Sequence, residues 1–282
     1  MKNLKNKTLA FLGAGNMAEA LIQGILEAGL LPAQNILATD IRAGRLEELK
    51  NQYGLVPCPD NIKAVERADI IILCVKPQTI QEALREIAPV ADGSKLFISV
   101  AAGVPISALA RYLGADAKAK GPRIIRTMPN TPALVQQGAA ALARGENATD
   151  EDLQTALNIM NAVGKTVVVE ESLLDAVTGL SGSGPAYVCL MLEALAEGGL
   201  QAGLPKDVSF ALSLQTLLGT ARLIEKTGRD PAELRAMVTS PGGTTMQGLR
   251  TLEEGKFKET IIRAVEAATQ RARELGKEST GY

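Results

Sequence analysis

Histidine is absent from this 282-residue chain, which removes the commonest general acid/base and the commonest metal ligand. Any catalysis it performs must work without imidazole. Cysteine is scarce as well: Cys58, Cys74 and Cys189 are an odd number at wide spacing, which suits neither a disulfide framework nor a metal cluster. Reduced thiols in the cytoplasm and no bound metal are the expectation. No apolar run approaches the ~20 residues a membrane helix needs. The short run from Leu9 to Leu12, behind a few lysines, is too brief for a signal sequence. There is no block of like charge, and 30 basic residues against 31 acidic ones leave no field to recruit nucleic acid or an anionic membrane. Small neutral or zwitterionic partners are favoured.

Apolar residues are plentiful, at 46% of the chain, enough to bury a large core. The length suggests two domains. Over residues 1–170, β-branched or apolar runs alternate with helical segments, the pattern of a parallel sheet covered on both faces. Strand-like runs stand at Thr8 to Leu12, Asn35 to Asp40, Asp69 to Val75, Lys95 to Val100, Arg123 to Thr127, Val135 to Ala143 and Lys165 to Val169. The run from Ile70 to Val75 shows no alternation, which predicts a strand buried on both faces in the middle of the sheet. Thr149 with Asp152 reads as a capping box opening a helix to about Ala162. Beyond Glu171 the strand signals stop. The fold class is thus an α/β Rossmann-type domain over residues 1–170, followed by an all-α domain over 171–282.

The helical half is too apolar for a monomer's surface. From Pro205 to Lys226 one stripe carries Phe210, Leu214, Leu217, Ala221 and Ile224, and Val208, Leu212 and Leu218 line a second face. A helix apolar on two sides needs partners on two sides, which predicts subunit pairing. Ile261, Val265, Ala268, Ala272 and Leu275 form a further seam near the C-terminus.

Leu12-Gly13-Ala14-Gly15-Asn16-Met17-Ala18 places a G-x-G-x-x-A run directly after the first strand and at the start of a helix. There the first glycine permits a tight turn, the second lets a phosphate approach the backbone, and the small alanine lets helix and strand pack closely. The helix N-terminus then offers unpaired N–H groups to the pyrophosphate of a dinucleotide, NADH or NADPH. Asp40 ends the second strand, where an acidic side chain bonds the adenine ribose of NAD. Arg42, two residues later, could instead hold the 2′-phosphate of NADP, so the two signals conflict. Lys76-Pro77 follows the central strand at the carboxyl edge of the sheet, and Ala101-Ala102-Gly103 follows the next strand with small residues. Tight turn packing would account for the same residues.

Two further turns stand out in the second half. Thr239-Ser240-Pro241-Gly242-Gly243-Thr244-Thr245 follows a helix opened by Asp230-Pro231 and opens another, for which Thr244 with Gln247 forms a candidate cap. Two glycines before a helix N-terminus expose backbone N–H groups that suit a carboxylate, and the hydroxyls add donors without charge. An ordinary helix–helix connection would look similar. Leu180-Ser181-Gly182-Ser183-Gly184-Pro185 reads as a turn with Ser183 as helix cap.

Together the segments at 12–17, Val75-Lys76-Pro77-Gln78, Val100 to Gly103, Met128-Pro129-Asn130-Thr131-Pro132, Leu180 to Tyr187 and Thr239 to Thr245 resemble pyrroline-5-carboxylate reductase, over nearly the whole chain. The resemblance implies NAD(P)H-dependent reduction of 1-pyrroline-5-carboxylate to L-proline, the last step of proline biosynthesis. It also implies a helical domain interlocked with its mate in a homodimer, and a larger ring of such dimers. It assigns the cofactor to the stretches at Leu12, Gly13, Ala14, Gly15, Asn16 and Met17, at Asn61, at Cys74, Val75, Lys76 and Pro77, and at Val100 to Gly103. It assigns the substrate carboxylate to Ser240, Gly242, Gly243, Thr244 and Thr245, with Thr245 facing the ring nitrogen. Family members vary where this chain has Thr39-Asp40-Ile41-Arg42, so the choice between NADH and NADPH stays open. A β-hydroxyacid dehydrogenase shares the plan but carries a lysine about four residues beyond the Ser181 to Gly184 turn, where Val188 and Cys189 stand here. A non-catalytic NAD(P)H sensor is the third reading.

Overall fold

The computed structural model describes residues 4–115 and 121–280. Among them, eight strands form one sheet: β1 (Leu9–Leu12), β2 (Ile36–Thr39), β3 (Val56–Pro57), β4 (Ile70–Leu73), β5 (Leu96–Ser99), β6 (Arg123–Met128), β7 (Gly138–Arg144) and β8 (Gly164–Val168). Their order is β3-β2-β1-β4-β5-β6-β7-β8, and every neighbouring pair is parallel except β6 with β7. The seven sequence-read strands are all present. β3 escaped because two residues carry no periodicity.

The helices of this region are α1 (Asn16–Glu27), α2 (Ala43–Tyr53), α3 (Asn61–Arg67), α4 (Ile80–Ile87), α5 (Ile106–Tyr112), α6 (Asp150–Asn161) and the single turn α7 (Leu174–Val177). They cover both faces of the sheet. All of β4 is buried, with Ile70 and Ile72 in one hydrophobic core and Ile71 and Leu73 in the other. That is the two-sided burial its unbroken apolar run required. The capping box at α6 is formed, with Asp152 N–H on Thr149 Oγ1 at 3.1 Å and Thr149 N–H on the Asp152 carboxylate at 2.9 Å.

Beyond Ser183 come α8 (Gly184–Gln201), α9 (Lys206–Thr227), α10 (Pro231–Met237), α11 (Thr244–Glu254) and α12 (Phe257–Thr280). The chain forms two compact units: one runs as far as Ser183 and includes the segment from Glu266 onward, the other is Gly184–Val265. The strands stop near residue 170, as the composition indicated, but the packing changes hands later. Buried Arg126 of β6 pairs with Glu171 at 3.2 Å and Asp175 at 3.6 Å, and Glu171 accepts the Ile106 N–H at 2.6 Å. These bonds tie 171–175 to the sheet. The last part of α12 belongs to the first unit as well, where the Leu275 Cβ lies 3.2 Å from where a Cβ at Gly103 would be.

Ser183 lacks the extended backbone of an ordinary helix N-cap. Thr178–Gly182 is a π-turn, closed by the Ser183 N–H on the Thr178 carbonyl at 2.9 Å, and Ser183 itself is helical at φ −84°, ψ −20°. In the second unit, α8 and α9 pack as a hairpin. Ser209 donates to the Ala196 carbonyl at 2.6 Å and lies against Gly199, where any Cβ would collide with its hydroxyl.

Candidate active site

The chain runs from β1 outward through β2 and β3, then returns to build β4, β5 and β6 on the other side. The crevice between β1 and β4, at their carboxyl ends, is therefore a topological switch point, the place where open α/β sheets bind ligands. Gly13 leaves β1 at φ +91°, a conformation costly for any residue with a side chain. A Cβ there would stand 2.9 Å from the carbonyl carbon and oxygen of Cys74 and from the nitrogen of Val75. The Gly13 N–H donates to the Thr39 carbonyl at 3.1 Å and the Cys74 N–H to the Leu12 carbonyl at 2.8 Å, so the ends of β1, β2 and β4 are laced together.

Gly15 has a different reason to be glycine. It is the N-cap of α1, extended at φ −75°, ψ −172°, with no side-chain cap bond. Nothing lies within 4 Å of where its Cβ would be. The protein itself does not need the absent side chain there. The open space, the uncapped N–H groups of the first turn and the positive end of the helix dipole fit a phosphate.

Asp40 and Arg42, read in sequence as competing signals, bond to each other. Asp40 Oδ1 accepts from Arg42 N–H and Nε, both at 2.9 Å, and Oδ2 accepts from Arg42 Nη2 at 3.2 Å and from Ala14 N–H at 3.0 Å. Burial alone would raise the Asp40 pKa, but the Arg42 side chain and the two backbone N–H groups outweigh it and hold the carboxyl below its usual range. The carboxylate is thus fully engaged. Arg42 remains largely exposed, and Ile41 between them is wholly in solvent.

Asn61 bridges the next layer, its Oδ1 accepting from Thr39 Oγ1 at 2.6 Å and its Nδ2 donating to Glu86 at 2.8 Å. Lys76 and Pro77 are exposed just past β4, where the Lys76 carbonyl accepts from the Thr79 N–H at 3.0 Å. Burial pushes the Cys74 thiol well up, which favours its protonated form. Ala101 is buried, and its N–H donates to Ser99 Oγ at 3.3 Å. Gly103 has φ +73°, so its turn and the Leu275 contact both account for the glycine. All these residues, with Leu12, Ala14, Asn16, Met17, Val75 and Ala102, line up along the carboxyl ends of β1, β2, β4 and β5.

The second group of candidates belongs to the other unit. Asp230 caps α10, accepting the Ala232 N–H at 2.7 Å, with Pro231 in the first position. α10 ends at Met237, and Thr239 Oγ1 donates back to the Arg235 carbonyl at 2.7 Å. Gly242 takes φ +72°, and the Gly243 N–H closes on the Ser240 carbonyl at 3.0 Å. The cap of α11 is Gly243 itself, without a side-chain bond, so Thr244 is the first helical residue rather than the cap. With no side chain bonded to it, this N-terminus suits an anion. Ser240 and Thr244 are exposed and Thr245 half-buried.

The comparisons with known proteins match this geometry. The chain is 44% identical over 274 residues, 97% of its length, to the whole of a pyrroline-5-carboxylate reductase from Methanosarcina acetivorans. It belongs to the pyrroline-5-carboxylate reductase family. A relative of the same name from Glycine max is 43% identical, covering 95% of this chain and 96% of its own. The solved pyrroline-5-carboxylate reductase from Coxiella burnetii superposes with a TM-score of 0.90 at 37% identity, covering 97% of this chain and all of that one. The Plasmodium falciparum pyrroline carboxylate reductase, solved with NADP bound, gives 0.86 at 33% identity, covering 96% and 99%. Residues 8–103 match the family described as NADP oxidoreductase, coenzyme F420-dependent.

Residues 171–275 match the pyrroline-5-carboxylate reductase dimerisation domain. A dimerisation domain explains why this region exposes so much apolar surface in a single chain. Phe210, Leu212, Leu214 and Leu218 of α9 are 44–56% exposed, and Leu190 of α8 is 66% exposed. No helix among the described residues is long and apolar enough to cross a membrane.

Sequence reading missed Arg45 and Glu19, which hold the glycine turn from behind. Arg45 Nε donates to the Ala14 carbonyl at 2.9 Å, and its Nη2 meets Glu19. A main-chain acceptor 31 residues away carries no residue-type signal, and only the fold brings the two together.

Proposed function

We propose that this chain reduces 1-pyrroline-5-carboxylate to L-proline, with NADPH preferred over NADH, as a homodimer in the cytoplasm. The observation that carries the reading is the pairing of an open phosphate turn at Gly15 with an uncapped, glycine-flanked helix N-terminus at Gly243, within one chain of the reductase family. The reduced nicotinamide, when bound, supplies the hydride that the imine carbon accepts. Leu12 to Met17, Asn61, Cys74 to Pro77 and Ala101 to Gly103 would hold it.

The chain's own contribution is binding and orientation. Ser240, Gly242, Gly243, Thr244 and Thr245 offer the substrate carboxylate main-chain N–H groups and hydroxyls, without the charge that would over-bind a product of equal charge. The Thr245 hydroxyl has no partner among the described residues, so it is free to position the ring nitrogen. An imine protonated on nitrogen already carries the proton that its product needs, and the electron pair of the C=N bond settles on that nitrogen as the carbon is reduced. No strong general acid is required, in keeping with a chain that lacks histidine. Holding the reacting carbon in line and excluding water is worth several kcal/mol of barrier, roughly, for a well-oriented pair.

The preference for NADPH follows from the Asp40–Arg42 pair. With its carboxylate filled by Arg42 and Ala14, Asp40 has no acceptor left for a ribose hydroxyl, and the paired arginine offsets its repulsion of a 2′-phosphate. The exposed Arg42 guanidinium suits that phosphate, and Ile41 offers a flat apolar edge to a purine. Arg42→Ser is expected to lower the NADPH-over-NADH ratio of kcat/KM about tenfold, the scale of one charge-assisted hydrogen bond. An unchanged ratio would remove Arg42 from cofactor choice.

Assembly is read from the dimerisation-domain match and the exposed apolar faces of α8 and α9. Light scattering should give a mass at least twice that of one chain, and a multiple of the dimer if rings form. A monomer at micromolar concentration would contradict the pairing. The reaction itself is tested by following loss of cofactor absorbance with 1-pyrroline-5-carboxylate and, in parallel, with an open-chain carbonyl acid. Oxidation confined to the cyclic imine supports the reading; oxidation confined to the carbonyl acid would replace it with alcohol dehydrogenase chemistry.

A further inference from the structure

Ala14 stands between two glycines, so its own neighbourhood does little to fix how its peptide planes are rotated. Gly13 is at φ +91°, and Gly15 has open space around it. Each polar group of Ala14 is instead gripped by a charged side chain, Asp40 from just after β2 and Arg45 from the first turn of α2. Asp40 Oδ2 takes its N–H at 3.0 Å, and Arg45 Nε donates to its carbonyl at 2.9 Å.

The second of these bonds reaches the cofactor site through the peptide plane. Described peptide bonds here are all trans, so the Ala14 carbonyl and the Gly15 N–H lie in one plane and point in opposite directions. Drawing the carbonyl toward Arg45 turns the Gly15 N–H away from it. Gly15 is the cap of α1, and that N–H belongs to the turn offered to the pyrophosphate.

Each nitrogen of Arg45 already has an acceptor within the protein. Its Nη2 is on Glu19, its Nη1 on Glu48 at 3.2 Å, and its side chain is 17% exposed. Glu19 is itself held by Tyr53, whose hydroxyl donates to it at 3.1 Å. A planar guanidinium spread over three acceptors cannot rotate without breaking at least one bond, which makes it a stiff support for a soft turn. Arg42, three residues earlier at the cap of α2, has the opposite character: its side chain is exposed and bonds Asp40.

We infer that Arg45 is a positioning residue for dinucleotide binding: without touching the ligand, it fixes the Ala14 carbonyl and so presets the direction of the Gly15 N–H. The inference rests on reading the glycine turn as the dinucleotide site, and is independent of which imine is reduced. Its effect falls on the pyrophosphate, a group that NADH and NADPH share. Arg45 and Arg42 are therefore separable by experiment, although only three residues apart.

The test is a fluorescence titration of Arg45→Met and Arg45→Lys with NADH and with NADPH, alongside thermal midpoints. Arg45→Met is expected to raise both dissociation constants about tenfold and by the same factor, the loss of one charged-group hydrogen bond. At saturating cofactor, kcat and the KM for the imine should stay within about twofold of the parent. Arg45→Lys, which can still reach the carbonyl but cannot span Glu19 and Glu48 as well, should recover part of the loss. If Arg45→Met does not fold, the lysine variant carries the comparison. A loss confined to NADPH would place Arg45 on the 2′-phosphate and overturn the inference, as would unchanged affinity for both. Because titration needs no turnover, a protein that binds both dinucleotides but reduces no imine would refute the proposed reaction and leave this inference standing.

Discussion

Gly13→Ala is expected to reduce dinucleotide affinity at least a hundredfold and to lower the thermal midpoint clearly, whereas Gly15→Ala should reduce affinity with a much smaller change in the midpoint. The two glycines sit two residues apart but answer to different constraints. At Gly13 the added methyl would meet three main-chain atoms of Cys74 and Val75 at 2.9 Å, and the backbone is at φ +91°. Strain at such a φ costs roughly 1–3 kcal/mol, and overpacking against backbone that cannot yield costs about as much again. Set against a total stability of roughly 5–15 kcal/mol, that is survivable for the fold. Relief comes only by moving the turn away from β4, which is where the phosphate donors are aimed. At Gly15 the added methyl meets no protein atom and φ is an ordinary −75°, so the cost to the fold is only that of alanine for glycine at a helix cap, roughly 0.5–1 kcal/mol. Its methyl enters only the space assigned to the ligand. Calorimetric binding with NADPH and melting curves of the two variants test both halves. Parent-like binding by Gly15→Ala would mean that no phosphate rests there.

Thr245→Ala should lower kcat about ten- to a hundredfold, the scale of losing one hydrogen bond that acts in the transition state. Thr245 is the second residue of α11, half-buried, and its hydroxyl bonds no other described residue. Removing it therefore breaks nothing in the protein, and the thermal midpoint should not move. The KM for NADPH should also hold, because the dinucleotide turn lies in the other unit. Thr245→Ser keeps the hydroxyl and should restore most of the rate. The chain has no histidine to compensate, so a substantial loss is the natural result if this hydroxyl orients the ring nitrogen. Unchanged turnover would remove Thr245 from the reaction and leave the carboxylate turn as a binding element only.

Most of the fold was readable because its signals are periodic or local. The seven longer strands announced themselves by β-branched runs, β4 by its unbroken apolar stretch, and the α6 cap by residues three apart. The glycine turn was recognisable because its spacing follows from steric need at fixed positions. What stayed hidden depends on tertiary geometry. Asp40 and Arg42 looked contradictory in sequence because each was weighed as a ligand contact, whereas the fold pairs them and uses the carboxylate to grip Ala14. Arg45 looked like any helix-surface arginine, since its acceptor is a backbone carbonyl. The π-turn at Thr178–Gly182 read as an ordinary capped start because serine before proline is the usual sign of one. The two-faced apolar character of α9 was legible: Phe210, Leu212 and Leu214 are exposed in the single chain, within a region that matches a dimerisation domain.

The central claim is that this chain moves a hydride from NADPH to the imine carbon of 1-pyrroline-5-carboxylate. It is tested most directly by running the reaction with NADPH deuterated at the nicotinamide C4 position and examining the product by mass spectrometry. The account predicts proline carrying one deuterium, on the carbon that was doubly bonded to nitrogen, formed in step with cofactor oxidation and faster than with NADH. Bound NADPH that stays reduced, with the imine recovered unchanged, would contradict it.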